Sequence, residues 1–324
     1  MRRARVAKVA GATLCLGLVG LNAVAYRQAR AFTHFAAPGP RTKVGQLSVA
    51  ESLRVLIDGV RIPRPENQRT PADVGLVYER HVFAGGRGVP LEAWLVPCRE
   101  ARGTVVLFHG HAASKDSQLR EAKAFHRMGW NALLVDFYGS GGSGGSETTI
   151  GYYEALDVTR AFEYARGLPA PGPVVLFGAS MGAAAVLKAV ADDGLRPAAL
   201  VLECPFDSLI GTVRHRFANR GVPSFPLADL LVFWGGAQEG FDALGFRPVD
   251  LASRVRVPTL LMNGDKDEWV RVDEARAIFD ALQGPKTLHY FAGVGHDSCL
   301  RNRPDEWKAV VGEFLAGTSG VAPR

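Results

Sequence analysis

From Val74 onward, short apolar runs alternate along the chain with longer stretches whose apolar residues recur at the helical period. Most of the short runs are apolar at successive positions, which is typical of strands buried on both faces of a parallel sheet. The alternation predicts an α/β fold with an eight-stranded, mostly parallel sheet flanked by helices and led by two antiparallel strands. The predicted strands are Leu76–Phe83, Leu91–Val96, Thr104–Phe108, Ala132–Phe137, Val174–Phe177, Ala198–Leu202, Pro258–Met262 and Thr287–Phe291. The predicted helices are Asp116–Met128, Tyr152–Arg166, Met181–Ala191, Val272–Leu282 and Pro304–Leu315.

The segment from Pro205 to Asp250 interrupts this alternation with aromatic residues, glycines and prolines. It follows the sixth predicted strand, so we interpret it as a cap inserted over the carboxyl ends of the strands. Open α/β sheets bind their ligands at that edge. Apolar cap side chains are therefore candidates for substrate contacts, and we select Phe206, Phe233 and Trp234. A cap that packs a small core of its own would use the same residues, so that alternative stays open.

The amino terminus has the layout of a membrane anchor or a signal segment. Basic residues precede and follow an uncharged stretch, Val9–Tyr26, whose 18 residues would span about 27 Å as a helix. We predict that residues 1–35 form a single-pass anchor that places the rest of the chain outside the cytoplasm. Ala23-Val24-Ala25 also resembles a signal-peptidase site, which leaves cleavage and secretion as an alternative. A buried core helix is a further alternative.

The remaining sequence divides into three parts. Residues 36–72 are rich in Pro, Arg and Gly around one short helical pattern, Val49–Ile57, and suit a tether and lead-in segment. Residues 73–317 form the predicted catalytic domain, with the cap at about 205–250, and residues 318–324 form a tail.

Composition and charge narrow the classes of function. The 324 residues are 47% hydrophobic and 22% charged, which excludes disordered and collagen-like chains. The net charge is +6, but residues 1–50 hold eight Lys and Arg and no Asp or Glu. The rest of the chain has 30 basic and 32 acidic groups, a net charge of −2. The basic excess therefore belongs to the amino terminus, and we expect no nucleic-acid partner.

Four cysteines, Cys15, Cys98, Cys204 and Cys299, are too few and too dispersed for a disulfide framework or a paired zinc motif. We expect them to be buried small hydrophobic residues. A bridge between Cys204 and Cys299 stays open for an extracytoplasmic domain.

The strongest chemical motif is Gly178-Ala-Ser180-Met-Gly182, which follows a predicted strand and begins a predicted helix. In this G-x-S-x-G context the serine occupies a tight strand-to-helix turn, and the flanking glycines avoid a Cβ clash. The helix that begins at Met181 directs backbone N–H groups toward the serine and favours negative charge there. Ser180 is the predicted nucleophile.

A serine hydroxyl needs a base, and the base needs an orienting acid. His296 follows the last predicted strand in a glycine-containing loop and is the best candidate for the base. Asp265 and Asp267 both leave the end of the strand Pro258–Met262, and we favour Asp267 because the loop must extend beyond the strand to reach the histidine. Structural roles are expected for the other candidate histidines, His34, His126, His215 and His289.

Acyl transfer also needs hydrogen-bond donors for the tetrahedral oxyanion. The backbone N–H of Met181 is one candidate. The second is the N–H of His111, in the loop His109-Gly-His-Ala112 after the strand Thr104–Phe108. His109 and His111 have no further Cys or His nearby in the sequence, so we expect no metal there.

In chain order, these motifs make the sequence similar to an α/β-hydrolase from about Val74 to Leu315. His109–Asp116, Leu134–Ser143 and Asp157 resemble the bacterial serine aminopeptidase-like (S33) and BEM46-like branch more narrowly. The resemblance implies hydrolysis of esters, thioesters or amides through an acyl-enzyme, without metal or organic cofactor. It implies Ser180 as nucleophile, Asp267 as acid and His296 as base.

Two local features refine that resemblance. The oxyanion loop holds one glycine, unlike the His-Gly-Gly-Gly loop of many lipases and esterases, which argues against esters of tertiary alcohols. Asp136 and the run Gly139–Gly145 recur in the family as a structural loop, and no Lys-Ser/Thr follows these glycines as a phosphate loop would require.

We therefore predict a carboxylesterase-like serine hydrolase acting on a small-molecule or lipid-like ester. A peptidase or thioesterase using the same three residues is the alternative within enzymes, and an inactive hydrolase-fold binding protein is the alternative outside them. The sequence indicates neither the substrate nor the oligomeric state.

Overall fold

The computed structural model describes residues 2–42, 48–169 and 172–318, and its central element is an eight-stranded sheet. The strand order is β1-β2-β4-β3-β5-β6-β7-β8. β1, β2 and β4 pair antiparallel, and every pair from β4 to β8 is parallel, which confirms the predicted fold class. The strands are β1 (Glu79–Ala84), β2 (Pro90–Val96), β3 (Thr104–Phe108), β4 (Asn131–Val135), β5 (Val174–Ala179), β6 (Ala199–Glu203), β7 (Thr259–Gly264) and β8 (Lys286–Phe291).

Burial explains why the central strands were easy to predict and the first one was not. All residues of β3, β6 and β7 are buried, so these strands are apolar almost throughout. The edge strand β1 alternates between exposed and half-buried positions. Its predicted start at Leu76 was wrong by three residues, because Leu76 is buried in the core beside the sheet but precedes the strand.

Helices cover both faces of the sheet. One apolar core lies beneath α4, α5, α8 and α9, and a second lies beneath α3, α10 and α11. The helices are α1 (Arg2–Thr33), α2 (Val49–Asp58), α3 (Leu119–Arg127), α4 (Glu154–Arg166), α5 (Met181–Asp192), α6 (Leu209–Ala218), α7 (Leu227–Glu239), α8 (Pro248–Ala252), α9 (Val272–Ala281), α10 (Cys299–Asn302) and α11 (Pro304–Thr318).

The cap follows β6, as predicted, and contains α6, α7 and α8. It packs around a small apolar cluster of its own, which also includes Ala184 of α5 and Val270 after β7. Burial of this cluster holds the cap against α5 and against the loop after β7. α5 begins at the strand-to-helix turn of Ser180, which we call the elbow.

The carboxyl-terminal part of α1 packs against cap helix α7. Ala25 and Ala29 are buried there. The Asn22 side-chain oxygen accepts a hydrogen bond from the Trp234 indole at 3.1 Å, and Gln238 donates to the Tyr26 carbonyl at 2.8 Å. Further toward the amino terminus, the apolar side chains of α1 are exposed. No helix in the described ranges combines the length and the apolar character needed to cross a membrane.

Residues 36–42 and 48–72 return along α1 and the body of the fold. Gln28 of α1 donates to the Val55 carbonyl of α2 at 2.6 Å. The Arg64 guanidinium donates to three carbonyls of the glycine-rich loop after β4, those of Gly141, Ser143 and Gly145. The predicted tail lies outside the described residues after position 318.

Candidate active site

Ser180 occupies the sharp turn between β5 and α5, with φ 52° and ψ −112°. L-residues rarely adopt such a positive φ, so the turn is strained. The flanking glycines allow it: a Cβ at Gly178 would lie 2.7 Å from the Ala183 backbone, and one at Gly182 would lie 2.3 Å from the Phe108 carbonyl oxygen. The strand, the turn and the helix therefore present the hydroxyl above the carboxyl edge of the sheet.

His296 lies between the serine and an acid. Its Nε2 is 3.1 Å from Ser180 Oγ, and its Nδ1 is 2.7 Å from Asp267 Oδ2. A carboxylate accepts from Nδ1–H, which leaves Nε2 free to accept the hydroxyl proton. This is the geometry of a nucleophile, a base and an orienting acid.

The second carboxylate oxygen of Asp267 is also hydrogen-bonded. The side chain is 0% exposed, and Oδ1 accepts the backbone N–H groups of Trp269 at 2.8 Å and Val270 at 2.9 Å. These bonds orient the carboxylate toward the histidine. Asp265, the other candidate, accepts instead from the Gly293 N–H at 2.6 Å and so stabilises the loop that leads to His296.

The remaining candidate histidines bond to other groups. Their partners are Glu147 and Glu239 for His34, the Pro97 carbonyl for His126, Glu274 for His215 and Glu306 for His289.

The two predicted oxyanion donors lie on either side of the serine. Met181 begins α5, where the first-turn N–H groups have no acceptor within the helix. Gly110 lies directly against the elbow, since a Cβ on it would be 3.7 Å from Ser180 Cβ. The next residue, His111, uses its ring Nε2–H to bond the Phe32 carbonyl of α1 at 3.2 Å. Burial, followed by the charge of Arg216, lowers the pKa of His111 to about 4.

A buried ion cluster holds the oxyanion loop in place. The Lys115 ammonium bonds Asp136 and, at 2.8 Å, Glu92. Asp136 also accepts the backbone N–H groups of Lys115 and Gly142, each at 2.8 Å. Desolvation opposes ionisation of Asp136, but the charges of Lys115 and His109 and the hydrogen bonds from Lys115 together lower the pKa of that carboxyl. The structural loop predicted from Asp136 and the glycine run thus supports the oxyanion loop.

The site offers a poor set of metal ligands. His109 donates Nδ1–H to the Gly110 carbonyl at 2.8 Å, and its Nε2 accepts the Phe137 N–H at 3.2 Å, so both ring nitrogens are occupied. Among the described residues, ligand atoms of Cys204, Asp267 and His296 lie within 4.8 Å of one another. Asp267 and His296 are already bonded to each other and His296 to Ser180, and the Cys204 thiol is hydrogen-bonded with Cys299.

The cysteines differ from one another. Cys204 and Cys299 are buried and unbridged, whereas Cys15 is exposed and Cys98 is partly buried. The expectation that all four are buried was therefore wrong for Cys15, which lies on the uncovered part of α1. A hydrogen bond with Cys204, together with burial, raises the pKa of the Cys299 thiol.

The cap residues selected as substrate contacts occupy three different environments. Phe206 is buried in the cap cluster, Trp234 packs on Tyr26 of α1 with ring centroids 5.4 Å apart, and Phe233 is about half exposed. Trp234 therefore holds α1 against the cap.

Three features near the site were not predicted. The Trp269 ring lies 4.8 Å from the His296 ring, and the Arg216 guanidinium lies 4.5 Å from the centre of the Trp269 ring. Phe35, just after α1, packs beside the His111 ring, with the two ring centroids 6.2 Å apart. Trp269 was open to prediction from its place two residues after Asp267, but Arg216 and Phe35 have no local motif.

A buried carboxyl, Glu203 at the end of β6, connects the elbow to the loop of the base. Its backbone carbonyl accepts the Ser180 N–H at 2.7 Å, and its side chain accepts the Cys299 N–H at 2.9 Å and the Trp307 indole at 3.2 Å. Burial, followed by the charge of Glu121, raises its pKa to about 8. Glu203 is therefore a structural acid beneath the site that holds its proton at neutral pH.

In sequence and in fold, the chain is similar to members of the α/β-hydrolase superfamily. A family model described as "Serine aminopeptidase, S33" matches residues 99–221. The chain is 24% identical over 237 residues to the protein YqkD of Bacillus subtilis, covering 72% of this chain and 78% of YqkD. It is 27% identical over 259 residues to the protein bem46 of Schizosaccharomyces pombe, covering 78% and 81%. The Pyrococcus furiosus esterase Pf2001 has the same fold, with a TM-score of 0.67 at 23% identity over 80% of this chain and 97% of that one.

Proposed function

Since this chain belongs to the α/β-hydrolase superfamily, we propose that it is a serine hydrolase that cleaves an ester through an acyl-enzyme. The observation that supports the proposal most is the continuous hydrogen-bonded series from Ser180 Oγ through His296 to Asp267, at 3.1 and 2.7 Å. Three residues far apart in sequence meet beside a helix N-terminus, where a developing anion is stabilised.

In the first half of the proposed reaction, His296 Nε2 takes the Ser180 proton while Oγ attacks the substrate carbonyl carbon. Asp267 holds the imidazole with Nδ1 protonated and stabilises the imidazolium that forms. The N–H groups of Met181 and His111 bind the oxyanion. His296 then protonates the leaving oxygen, and the acyl group stays on Ser180.

In the second half, water replaces the alcohol. His296 accepts a proton from the water, and the hydroxide oxygen attacks the acyl carbon. Collapse of the second tetrahedral intermediate returns the proton to Ser180 and releases the acid. No metal or organic cofactor enters either half of this mechanism.

Two observations make us prefer ester hydrolysis over amide cleavage: the name of a fold neighbour and an arginine near the site. The fold neighbour Pf2001 is named an esterase, whereas the matching family model is described as a serine aminopeptidase. Amide cleavage on the same residues is therefore the second candidate, and a thioesterase would use the same chemistry. An arginine near His296, Arg216, favours the ester, because it would repel the free ammonium group of an aminopeptidase substrate.

The test is a comparison of matched substrates with the full chain. We expect 4-nitrophenyl butyrate to be cleaved with a kcat/KM at least about 100-fold above those of leucine and alanine 4-nitroanilides. A butyryl thioester is the third arm. Faster cleavage of the anilides would replace the esterase by a peptidase. Equal inactivity of wild type and Ser180→Ala on every substrate would favour the binding-protein alternative.

We also propose that the amino-terminal part of α1 contacts a lipid surface. Five apolar side chains there, Val9, Leu14, Leu16, Leu18 and Val19, are 52–73% exposed. Arg5 and Lys8 lie beside them in the sequence. Soluble surfaces rarely leave such an apolar group uncovered, and basic residues at its end favour anionic lipids.

Vesicle flotation tests this contact. We expect the full chain to float with vesicles of phosphatidylcholine and phosphatidylglycerol, and a Leu14→Glu/Leu18→Glu variant to stay at the bottom. Val77→Glu is the matched control, because Val77 is 82% exposed and lies outside α1. Equal flotation of the α1 variant and the control would remove the proposed lipid contact.

We further propose that the chain keeps α1. The helix is continuous through Ala23-Val24-Ala25, and a cut after Ala25 would separate Asn22 from its partner Trp234. Because Ala25 is buried against the cap, the peptide bond that follows it is shielded from a protease. The extracytoplasmic location of the catalytic domain stays a prediction.

A further inference from the structure

Arg216, on cap helix α6, stacks on a tryptophan that lies beside His296. Its guanidinium carbon lies 4.5 Å from the centre of the Trp269 ring. The Trp269 ring in turn lies 4.8 Å from the His296 ring. Trp269 therefore connects the cap arginine to the base, and the guanidinium lies at the wall of the site.

Nothing in the described part of the chain neutralises this arginine. No carboxylate there is within ion-pair distance of Arg216, and its Nε, although fully covered, has no hydrogen-bond acceptor. Arg214, on the same helix, differs because it pairs with Asp229 at 2.6 Å. A covered, unpaired guanidinium donor is costly to the fold unless another group bonds to it when the protein acts.

The surroundings add positive charge. Burial, followed by the charges of Arg220 and Arg41, lowers the pKa of Arg216 to about 10, which leaves it protonated at neutral pH. Arg216 and Arg41 both help to lower the pKa of His111, so that imidazole is neutral. Asp267 is the acid that opposes this field, and its oxygens are already bonded to His296 and to two backbone N–H groups.

Space for a ligand adjoins the same region. A cleft of about 360 Å³ reaches the oxyanion loop at Ala112 and has Arg41 on its wall. Arg64 also lines the cleft, but its guanidinium is bonded to the glycine-rich loop. Arg216 and the three proposed catalytic residues do not line this cleft, so Arg216, which stacks on Trp269, is the cation nearest to His296 in this group.

We propose, on the basis of the proposed hydrolase function, that Arg216 binds an anionic group of the substrate, a phosphate or a carboxylate, and so selects negatively charged esters. The planar guanidinium bonds such groups in a bidentate manner. Its stacking on Trp269 holds the fork in one orientation before the substrate arrives. The same charge repels the free ammonium group that an aminopeptidase substrate carries beside its scissile bond, which is why ester cleavage is preferred over that alternative.

The test uses two pairs of esters that differ in charge. Ethyl hexanoate and monoethyl adipate have acyl chains of equal length, and the second has a terminal carboxylate. 1-Butyrylglycerol and 1-butyrylglycerol 3-phosphate place the charge on the alcohol side. Released ethanol or butyrate gives kcat/KM for wild type, Arg216→Gln and Arg216→Lys. Arg214→Gln is the control, because it removes a charge from the same helix but one that Asp229 already neutralises.

We expect wild type to prefer the anionic member of at least one pair. The pair in which it does so shows whether the anionic group binds on the acyl side or on the alcohol side of the scissile bond. In that pair Arg216→Gln should lower the ratio of anionic to neutral kcat/KM by about 10- to 100-fold, the usual effect of losing a charged hydrogen bond. The ratio for Arg216→Lys should lie between those of wild type and Arg216→Gln, and Arg214→Gln should keep the wild-type ratio.

Two other results overturn the proposal. One is a wild type that cleaves the neutral esters but prefers neither anionic member, which leaves the hydrolase function intact and needs no variant. The other is an Arg216→Gln variant that keeps the wild-type ratio. A wild type that cleaves none of the four esters contradicts the ester hydrolase function and this inference together.

Discussion

The sheet and the cap contribute to the site in different ways. Ser180, Asp267 and His296 leave the carboxyl ends of β5, β7 and β8, so regular strand pairing sets where their loops begin. Arg216, on α6, reaches the site through Trp269, and the cap rests on α1 through side chains such as Trp234. The proposed catalytic groups thus depend on backbone geometry, whereas the proposed substrate-binding wall depends on side-chain packing.

Substitutions in these two regions should therefore have different effects. Substitutions in the loops of the sheet should alter the rate of the chemical steps with little loss of stability. Substitutions at the contact between α1 and the cap should alter stability and leave the three proposed catalytic residues in place. The predictions below test that separation.

The largest effect is expected for Ser180→Ala. Removal of the nucleophile should lower kcat on the best ester by about 10⁶-fold, as the residues of such a site act as a unit. The midpoint of thermal unfolding should change by no more than about 2 °C, because alanine keeps the Cβ and the backbone conformation. Ester hydrolysis and calorimetry on the same preparation check both parts. A variant with a tenth of the wild-type rate would contradict the assignment.

Asp267→Asn comes next. The asparagine oxygen would keep the two backbone N–H bonds, so its NH2 group would face His296 Nδ1 as a donor. A donor there favours the wrong tautomer of His296, and kcat should fall by about 10⁴-fold. Asp265→Asn is the matched control, since Asp265 bonds only the Gly293 N–H among the contacts described for its side chain and should keep kcat within about threefold. Similar losses in both variants would show that loop structure, rather than the Asp267–His296 bond, is being measured.

A smaller effect, of another kind, is expected at the contact between α1 and the cap. Trp234→Ala removes the hydrogen bond to Asn22 and the ring contact with Tyr26. The free energy of unfolding should decrease by about 2 kcal/mol, less than for a fully buried tryptophan. Phe233→Ala, at a half-exposed neighbour, should cost less than about 1 kcal/mol. Urea unfolding of the full chain measures both, and equal values would place α1 outside the cooperative unit.

A separate effect on stability concerns pH. Glu203 has a pKa of about 8 in the folded chain against an ordinary value of 4.5, so the folded state binds a proton that the unfolded chain releases. Stability should therefore fall as the pH rises from about 4.5 to 8, and change little from this group above that window. Glu203→Gln keeps an acceptor for Cys299 N–H but cannot ionise, and should flatten the decrease. Parallel curves for the two proteins between pH 5 and 8.5 would contradict the buried-acid assignment.

Much of the sheet and the candidate catalytic residues was predictable from sequence, and the cap wall was not. Buried strands such as β3 are continuous apolar runs, and the elbow at Ser180 has glycines where a Cβ would clash, so both leave local signals. The choice of Asp267 rested on loop length, and the structure places that carboxylate against His296.

The position of Arg216 depends on how a helical insertion folds back over the sheet, which no local pattern encodes. The contact of α1 with the cap was missed for the same reason. The segment Val9–Tyr26 was interpreted from its length and its flanking charges, and those features do not reveal that Asn22 bonds a tryptophan more than 200 residues later.

Mass-spectrometric mapping of a fluorophosphonate adduct on the full chain tests the central claim most directly. We expect one phosphonyl group per chain, attached to Ser180 Oγ, formed slowly in Asp267→Asn and absent from Ser180→Ala. An adduct on another residue, or an unmodified Ser180 in a preparation that still hydrolyses esters, would contradict that claim.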